Sequence, residues 1–176
     1  PEEAAPESHI EWTQSVPESD ELELDAATRT YFKEIEGLLE SQDFETPEDQ
    51  YLFISNTFAE VNGKEVLLAM DFEGSRILEK LLKSANDFQI RVFADRLGGQ
   101  YDVLFCHQFG SHVVQVLLNL AADVVERELQ GRSFVPEPEE EDDNVEELPT
   151  MEALLIRMAE ELETHWNKFM LHVHAT

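Results

Sequence analysis

Phe72-Glu73-Gly74-Ser75-Arg76-Ile77-Leu78-Glu79 and Gln108-Phe109-Gly110-Ser111-His112-Val113-Val114-Gln115 are one device written twice, the second copy 36 residues after the first. In each, a glycine precedes five residues whose first and fifth members are polar and whose third and fourth are apolar. Residues four apart share a face of a helix, so Ser75 with Glu79 and Ser111 with Gln115 form two matched polar pincers. Arg76 and His112 stand beside the first jaw of each, and the apolar pairs turn toward a core. The period is that of helical solenoids, in which each unit is too small to bury its own apolar face and stacks on its neighbours.

The flanks repeat with the heads. Glu65 to Ser75 lines up with Tyr101 to Ser111, and Leu81-Leu82 with Leu117-Leu118. A third, partial copy, Trp166 to Thr176, matches Tyr101 to Ser111, so the chain stops on the first reading position of a third unit. That ending, with Pro1 in place of Met, predicts an N-terminal fragment of a longer protein.

Phe-Glu-Gly-Ser-Arg-Ile-Leu-Glu and Gln-Phe-Gly-Ser-His-Val-Val-Gln, each followed by a Leu-Leu pair, resemble the repeats of the Pumilio (PUF) RNA-binding family. Within it the chain is most similar to the nucleolar protein nine type, on the stretch Asp25 to Leu39 ahead of the first repeat and the acidic insertion in the second. The resemblance covers roughly Ala26 to Thr176. It implies an all-α fold, a right-handed α-solenoid of three-helix PUF-type repeats. It also implies a nucleolar, ribosome-assembly role on precursor ribosomal RNA, with no enzymatic activity and no cofactor.

The net charge of −27 argues against nucleic acid, because phosphate contacts need Lys and Arg. Its distribution weakens that objection. Residues 1–25 hold nine acids and residues 137–147 hold eight, with no Lys or Arg in either, whereas 64–96 carries six bases and six acids. A single cysteine, Cys106, precludes an internal disulfide and fits a reducing compartment. No run is long and apolar enough to span a bilayer.

Read along the chain, residues 1–24 are an acidic, disordered lead-in. Asp25 caps a helix with Tyr31, Phe32, Ile35, Leu38 and Leu39 on one stripe, giving a capping unit over 25–45. The first repeat occupies 46–83. Thr46-Pro47-Glu48-Asp49 starts a helix with Tyr51, Ile54, Phe58 and Val61 on one face. Asn62 to Glu65 caps a short helix to Met70. Gly74 breaks that helix before a reading helix running from Ser75 to about Lys83. The second repeat starts over 84–132. Ser84-Ala85-Asn86-Asp87 caps a helix bearing Phe88, Phe93 and Leu97 that Gly98-Gly99 ends. Residues 133–149 form an acidic insertion too polar to bury a core. Over 150–176, Thr150 starts a helix with Leu154, Leu155, Met158 and Leu162 inward, before the truncated third repeat.

Proteins of the resembled kind read one base per repeat with two or three side chains. A carboxylate accepts two hydrogen bonds from the donors on guanine's Watson-Crick edge, and an amide both donates and accepts, which suits adenine. By resemblance, Ser75 with Glu79 reads guanine, Ser111 with Gln115 reads adenine, Thr176 opens the third reader, and Arg76 and His112 stack on bases. The family's RNA runs antiparallel to its repeats, giving 5′-AG-3′. Lys80 and Lys83 are candidate phosphate contacts. Either pincer alone would read as solvated polar residues; two in phase favour base contact. His165, His172 and His174 lack a completing ligand for a metal. Cys106 beside His107 lacks a third orienting group and reads as a core thiol.

The competing function is a protein-binding solenoid of the HEAT or armadillo sort, its acidic segments engaging a basic partner. A third is that the acidic segments mimic nucleic acid and block binding until displaced, a reading that deletion of residues 136–149 without change in RNA affinity would remove. The leading expectation is a monomer, off the membrane, that holds single-stranded precursor ribosomal RNA and meets ribosome-assembly proteins through its acidic segments.

Overall fold

The computed structural model describes residues 24–41, 43–133 and 148–173, with side chains of the last helix through Trp166. Every regular element among the described residues is helical: α1 (Ala26–Ser41), α2 (Pro47–Val61), α3 (Glu65–Met70), α4 (Phe72–Lys83), α5 (Asp87–Arg96), α6 (Tyr101–Cys106), α7 (Gly110–Leu129) and α8 (Met151–Val173). The expectations for the lead-in, the body of the insertion, and Thr176 lie outside these residues.

Most helix starts follow local chemistry. Asp25 Oδ1 accepts the Thr28 amide at 2.9 Å, and Thr46 Oγ1 accepts that of Asp49 at 3.1 Å, with Pro47 opening α2. Asn86 and Gln89 form a reciprocal capping box. Asn62 departs from expectation: it closes α2, its amide donating to Ala59 O at 3.3 Å, and Gly63 turns the chain at φ 78°. Lys64 precedes α3 without a side-chain cap, and the buried Glu65 receives Arg96 Nη1 at 3.3 Å.

Gly74 does not break a helix. Asp71 does so, capping α4 by accepting the amides of Glu73 at 3.0 Å and Gly74 at 2.8 Å. Gly74 sits in the first turn of α4, where a Cβ would stand 2.6 Å from Leu68 O. It allows α3 to fold back onto α4 in near contact. Thirty-six residues on, a Cβ on Gly110 would stand 2.9 Å from Leu104 Cδ2. His107 takes Asp71's place there, its Nδ1 accepting the amides of Phe109 and Gly110, each at 3.2 Å.

These folded-back pairs stack with α4 between α1 and α7. Ile77, Leu78, Leu81 and Leu82 of α4 and Val113, Val114, Leu117 and Ala121 of α7 are buried together with Leu68 and Leu104. Each such aliphatic side chain contributes about 1.5–3 kcal/mol on burial. Thr28, Phe32, Ile35 and Leu39 seal the α1 end, whereas Tyr31 and Leu38 of the expected stripe are exposed, as is Tyr51 of α2.

The second repeat leaves the pattern at position 122, where Ala stands in place of the capping Asn86. With no cap to stop it, α7 runs 20 residues against 12 for α4. The C-terminal end of the long insertion is held between this extension and Arg91 of α5. Arg91, buried, donates from Nε to Pro149 O at 3.0 Å and from Nη2 to Leu148 O at 2.6 Å, and lies 3.3 Å from Glu128. Glu128 in turn accepts the Met151 amide at 3.0 Å. Glu163-Thr164 replaces Gly98-Gly99, so α8 continues unbroken into the partial third copy.

Candidate nucleic-acid interface

The two heads fall on α4 and α7, as their spacing requires. In the second, His112 and Gln115 are exposed and Ser111 is half-buried. From Gly110 to Ala122, α7 contains no Asp or Glu. The three side chains lie on one turn of a helix held by Val113, Val114 and Leu117, which leave it little freedom to rotate.

The first head is different. Arg76 is exposed and Glu79 half-buried, without an ion-pair partner among the described residues. Ser75 is not presented to solvent: it is 3% exposed, and its hydroxyl donates to Phe72 O at 3.2 Å. A serine in the first turn of a helix readily makes this backward bond, and helices on both sides of α4 leave it covered. Lys80 also departs from expectation. Its ammonium is hydrogen-bonded to the carboxylates of Glu36 and Glu40 on α1, so it is not a free phosphate contact. Although partial burial opposes its charge, those bonds hold Lys80 above its ordinary value, and the Lys80 bond holds Glu40 below its own. Lys83, in the last turn of α4, remains exposed.

Sequence reasoning missed the ladder to which Lys80 belongs. Arg29 Nη2 lies 3.1 Å from Asp71 Oδ2, Lys33 4.0 Å from Glu73, and Arg76 Nη2 3.8 Å from Glu36 Oε1. The contacts advance together along both helices, so α1 and α4 run parallel. The signal was present in α1 as Arg29, Lys33, Glu36 and Glu40, spaced three or four apart, a stripe distinct from the apolar one.

At the N-terminal ends of α4 and α7, the rings of Phe72 and Phe109 pack edge to face at 5.4 Å, and His107 lies 5.7 Å from Phe109. Cys106 is exposed, not a core thiol, because it ends α6 on the side away from Leu104. His107 is committed to capping α7. His165 Nδ1 lies 3.0 Å from Asp102 Oδ2.

Stacked helical units, each with one helix that carries a glycine in its first turn and a polar triad after it, define a PUF-type repeat solenoid. Residues 63–176 match the model of the NOP9-like PUF repeat domain, and the chain belongs to that family. It is similar to Nucleolar protein 9 of Saccharomyces cerevisiae, 32% identical over 155 residues, which is 87% of this chain and 22% of that protein. It is also similar to Nucleolar protein 9 of Candida glabrata, 31% identical over 153 residues, covering 87% of this chain and 23% of that protein. For the protein of that name from Paracoccidioides brasiliensis, the figures are 34% over 143 residues, 81% and 21%. The chain thus spans about a fifth of the length of the curated relatives it matches. Among solved structures, that of APUM23 with its insert region deleted and GGAAUUGACGG superimposes with a TM-score of 0.61 at 22% identity, over 79% of this chain and 24% of that one. This last likeness is one of fold.

Proposed function

We propose that the chain forms part of a sequence-selective single-stranded RNA-binding surface, in a nucleolar protein that holds precursor ribosomal RNA during small-subunit biogenesis. The observation that carries this reading is the recurrence, on two stacked helices, of a planar side chain beside a hydrogen-bonding group three residues on. Arg76 with Glu79 and His112 with Gln115 recur at an interval of 36 residues. Family membership and the names of the relatives support it. Bases splayed from a single strand stack between Arg76 and His112, Glu79 accepts from guanine, and Gln115 pairs with adenine. Ser111 supplements the second contact, and Ser75 joins the first only if its bond to Phe72 O opens. The acidic segments are the surfaces for ribosome-assembly proteins, and the protein acts as a monomer.

The test is a titration at fixed salt with short RNAs carrying G or A opposite the first repeat, using wild type and Glu79→Gln. Wild type is expected to prefer G by about 1–3 kcal/mol, and the substitution to move preference toward A. Equal affinities in both proteins would make these repeats a scaffold for a protein partner.

A further inference from the structure

The ion-pair ladder joins α1 to α4, on the side of the first reading helix away from α7. Its four cations, Arg29, Lys33, Arg76 and Lys80, each have a carboxylate within 4.0 Å, from Asp71, Glu73, Glu36 or Glu40. Four positive and four negative groups cancel along the seam. Two of the acids, Glu36 and Glu40, come from α1 and reach across to the reading helix: Glu36 bridges Arg76 and Lys80, and Glu40 closes on Lys80 from the other side. By contrast, α7 from Gly110 to Ala122 contains no acid that could hold a cation in this way. The closure is local to the α1 end.

We infer that Glu36 and Glu40 withhold Arg76 and Lys80 from RNA phosphates, so that α1 ends the RNA track at the first repeat and excludes phosphates 3′ of the nucleotide read there. This rests on the RNA-binding reading above and on the antiparallel polarity that the family resemblance implies. A phosphate arriving at Lys80 must displace two carboxylates that already satisfy the ammonium and, on displacement, stand beside the incoming negative charge. Breaking such a contact and adding repulsion returns nothing to the complex. Guanine's edge is read by Glu79, which is not in the ladder, and Arg76 can stack through its face while Glu36 holds its edge, so the device sets the length of RNA bound and leaves base choice to Glu79.

The experiment uses the full chain and two RNAs at several salt concentrations, one ending in a 3′-hydroxyl at the guanosine opposite the first repeat and one extended 3′ by two abasic nucleotides. In wild type the extension is expected to leave affinity unchanged. In Glu36→Gln/Glu40→Gln it is expected to tighten binding and to steepen the slope of log affinity against log salt by about 0.7 for each phosphate engaged, about 2.6-fold between 200 and 50 mM. Adding Lys80→Gln to the double variant is expected to remove most of that gain. A wild-type protein that already gains from the extension, or a double variant that gains nothing, overturns the inference. If both RNAs are bound while the extension has no effect in any variant, this inference alone falls. If no protein binds either RNA, the RNA-binding reading falls with it.

Discussion

Three glycines in helices offer a comparison in which the chemistry of substitution is constant and the surroundings differ. An alanine in a helix is favoured over glycine by about 1 kcal/mol. At Gly37 of α1 nothing lies within 4 Å of the added Cβ, so Gly37→Ala is expected to stabilise by about 0.5–1 kcal/mol. At Gly110 the nearest atom, 2.9 Å away, is the end of the Leu104 side chain, with Leu104 O next at 3.1 Å. Rotation of that leucine relieves the first contact, and Gly110→Ala is expected to be close to neutral. At Gly74 the three nearest atoms are all backbone of Leu68, at 2.6, 3.1 and 3.2 Å. Only separation of α3 from α4 relieves that, and Leu68, which is fully buried, moves with it. Overpacking costs about 1–3 kcal/mol, and a clash with backbone alone lies at the upper end, so after the propensity gain of about 1 kcal/mol Gly74→Ala is expected to lose about 2 kcal/mol net. Urea unfolding followed by circular dichroism reads the series: a loss of about 1 kcal/mol shifts the midpoint by roughly 0.5 M at unchanged slope. A Gly74→Ala protein as stable as Gly110→Ala would refute the claim that the head glycine is kept for close approach.

Asp71→Ala should cost about 1 kcal/mol by removing the α4 cap, while His107→Asp should retain the equivalent cap on α7; equal losses in melting temperature for His107→Asp and His107→Ala would contradict that. Arg91→Met leaves the carbonyls of Leu148 and Pro149 without their donor and Glu128 without its cation, and should cost about 2–4 kcal/mol in urea unfolding. A loss comparable to that of a surface substitution would show that the insertion is not anchored there. Asp25 and Glu40 both lie below their ordinary values of 3.8 and 4.5, lowered by bonds from Thr28 and from Lys80. Their contribution is therefore complete above pH 4.5 and lost as pH falls through the lowered values. Amide protection factors, taken against the intrinsic rate at each pH, should fall in α1 under those acidic conditions before they fall in α7, and a simultaneous fall in the two helices would argue against it.

What the sequence made legible was local. The caps at Asp25 and Thr46, and the one within Ser84 to Asp87 that proves to be Asn86, were readable because each cap lies within three residues of the amide it serves. The Leu78 and Val114 stripes were readable because helical period alone places them. The run-on of α7 was also legible in principle, since Ala122 stands where a capping asparagine would be needed. The burial of Ser75 and the engagement of Lys80 were not readable. Both depend on how α1 lies against α4, and Glu36 and Lys80 are 44 residues apart. Asn62 was misread because a side chain suited to capping said nothing of whether Gly63 would turn the chain first. Cys106 was misread because composition favours burial of a lone thiol, while its place at the end of α6 decides otherwise.

Chemistry and access rank the two heads in opposite orders. A carboxylate discriminates guanine from adenine more sharply than an amide selects adenine, which favours the first repeat as the more specific reader. Yet in that repeat Ser75 is covered and Arg76 is tethered, while Ser111, His112 and Gln115 stand on an acid-free stretch of α7. Affinity depends on contacts that can be made without first breaking others, because each displaced hydrogen bond or ion pair subtracts from the gain. The second repeat is therefore expected to supply more of the binding energy and the first more of the base choice. On the proposed reading, that division is compatible with the negative charge: the stretch of α7 from Gly110 to Ala122 carries no acid, and Glu36 and Glu40 of α1 neutralise Arg76 and Lys80.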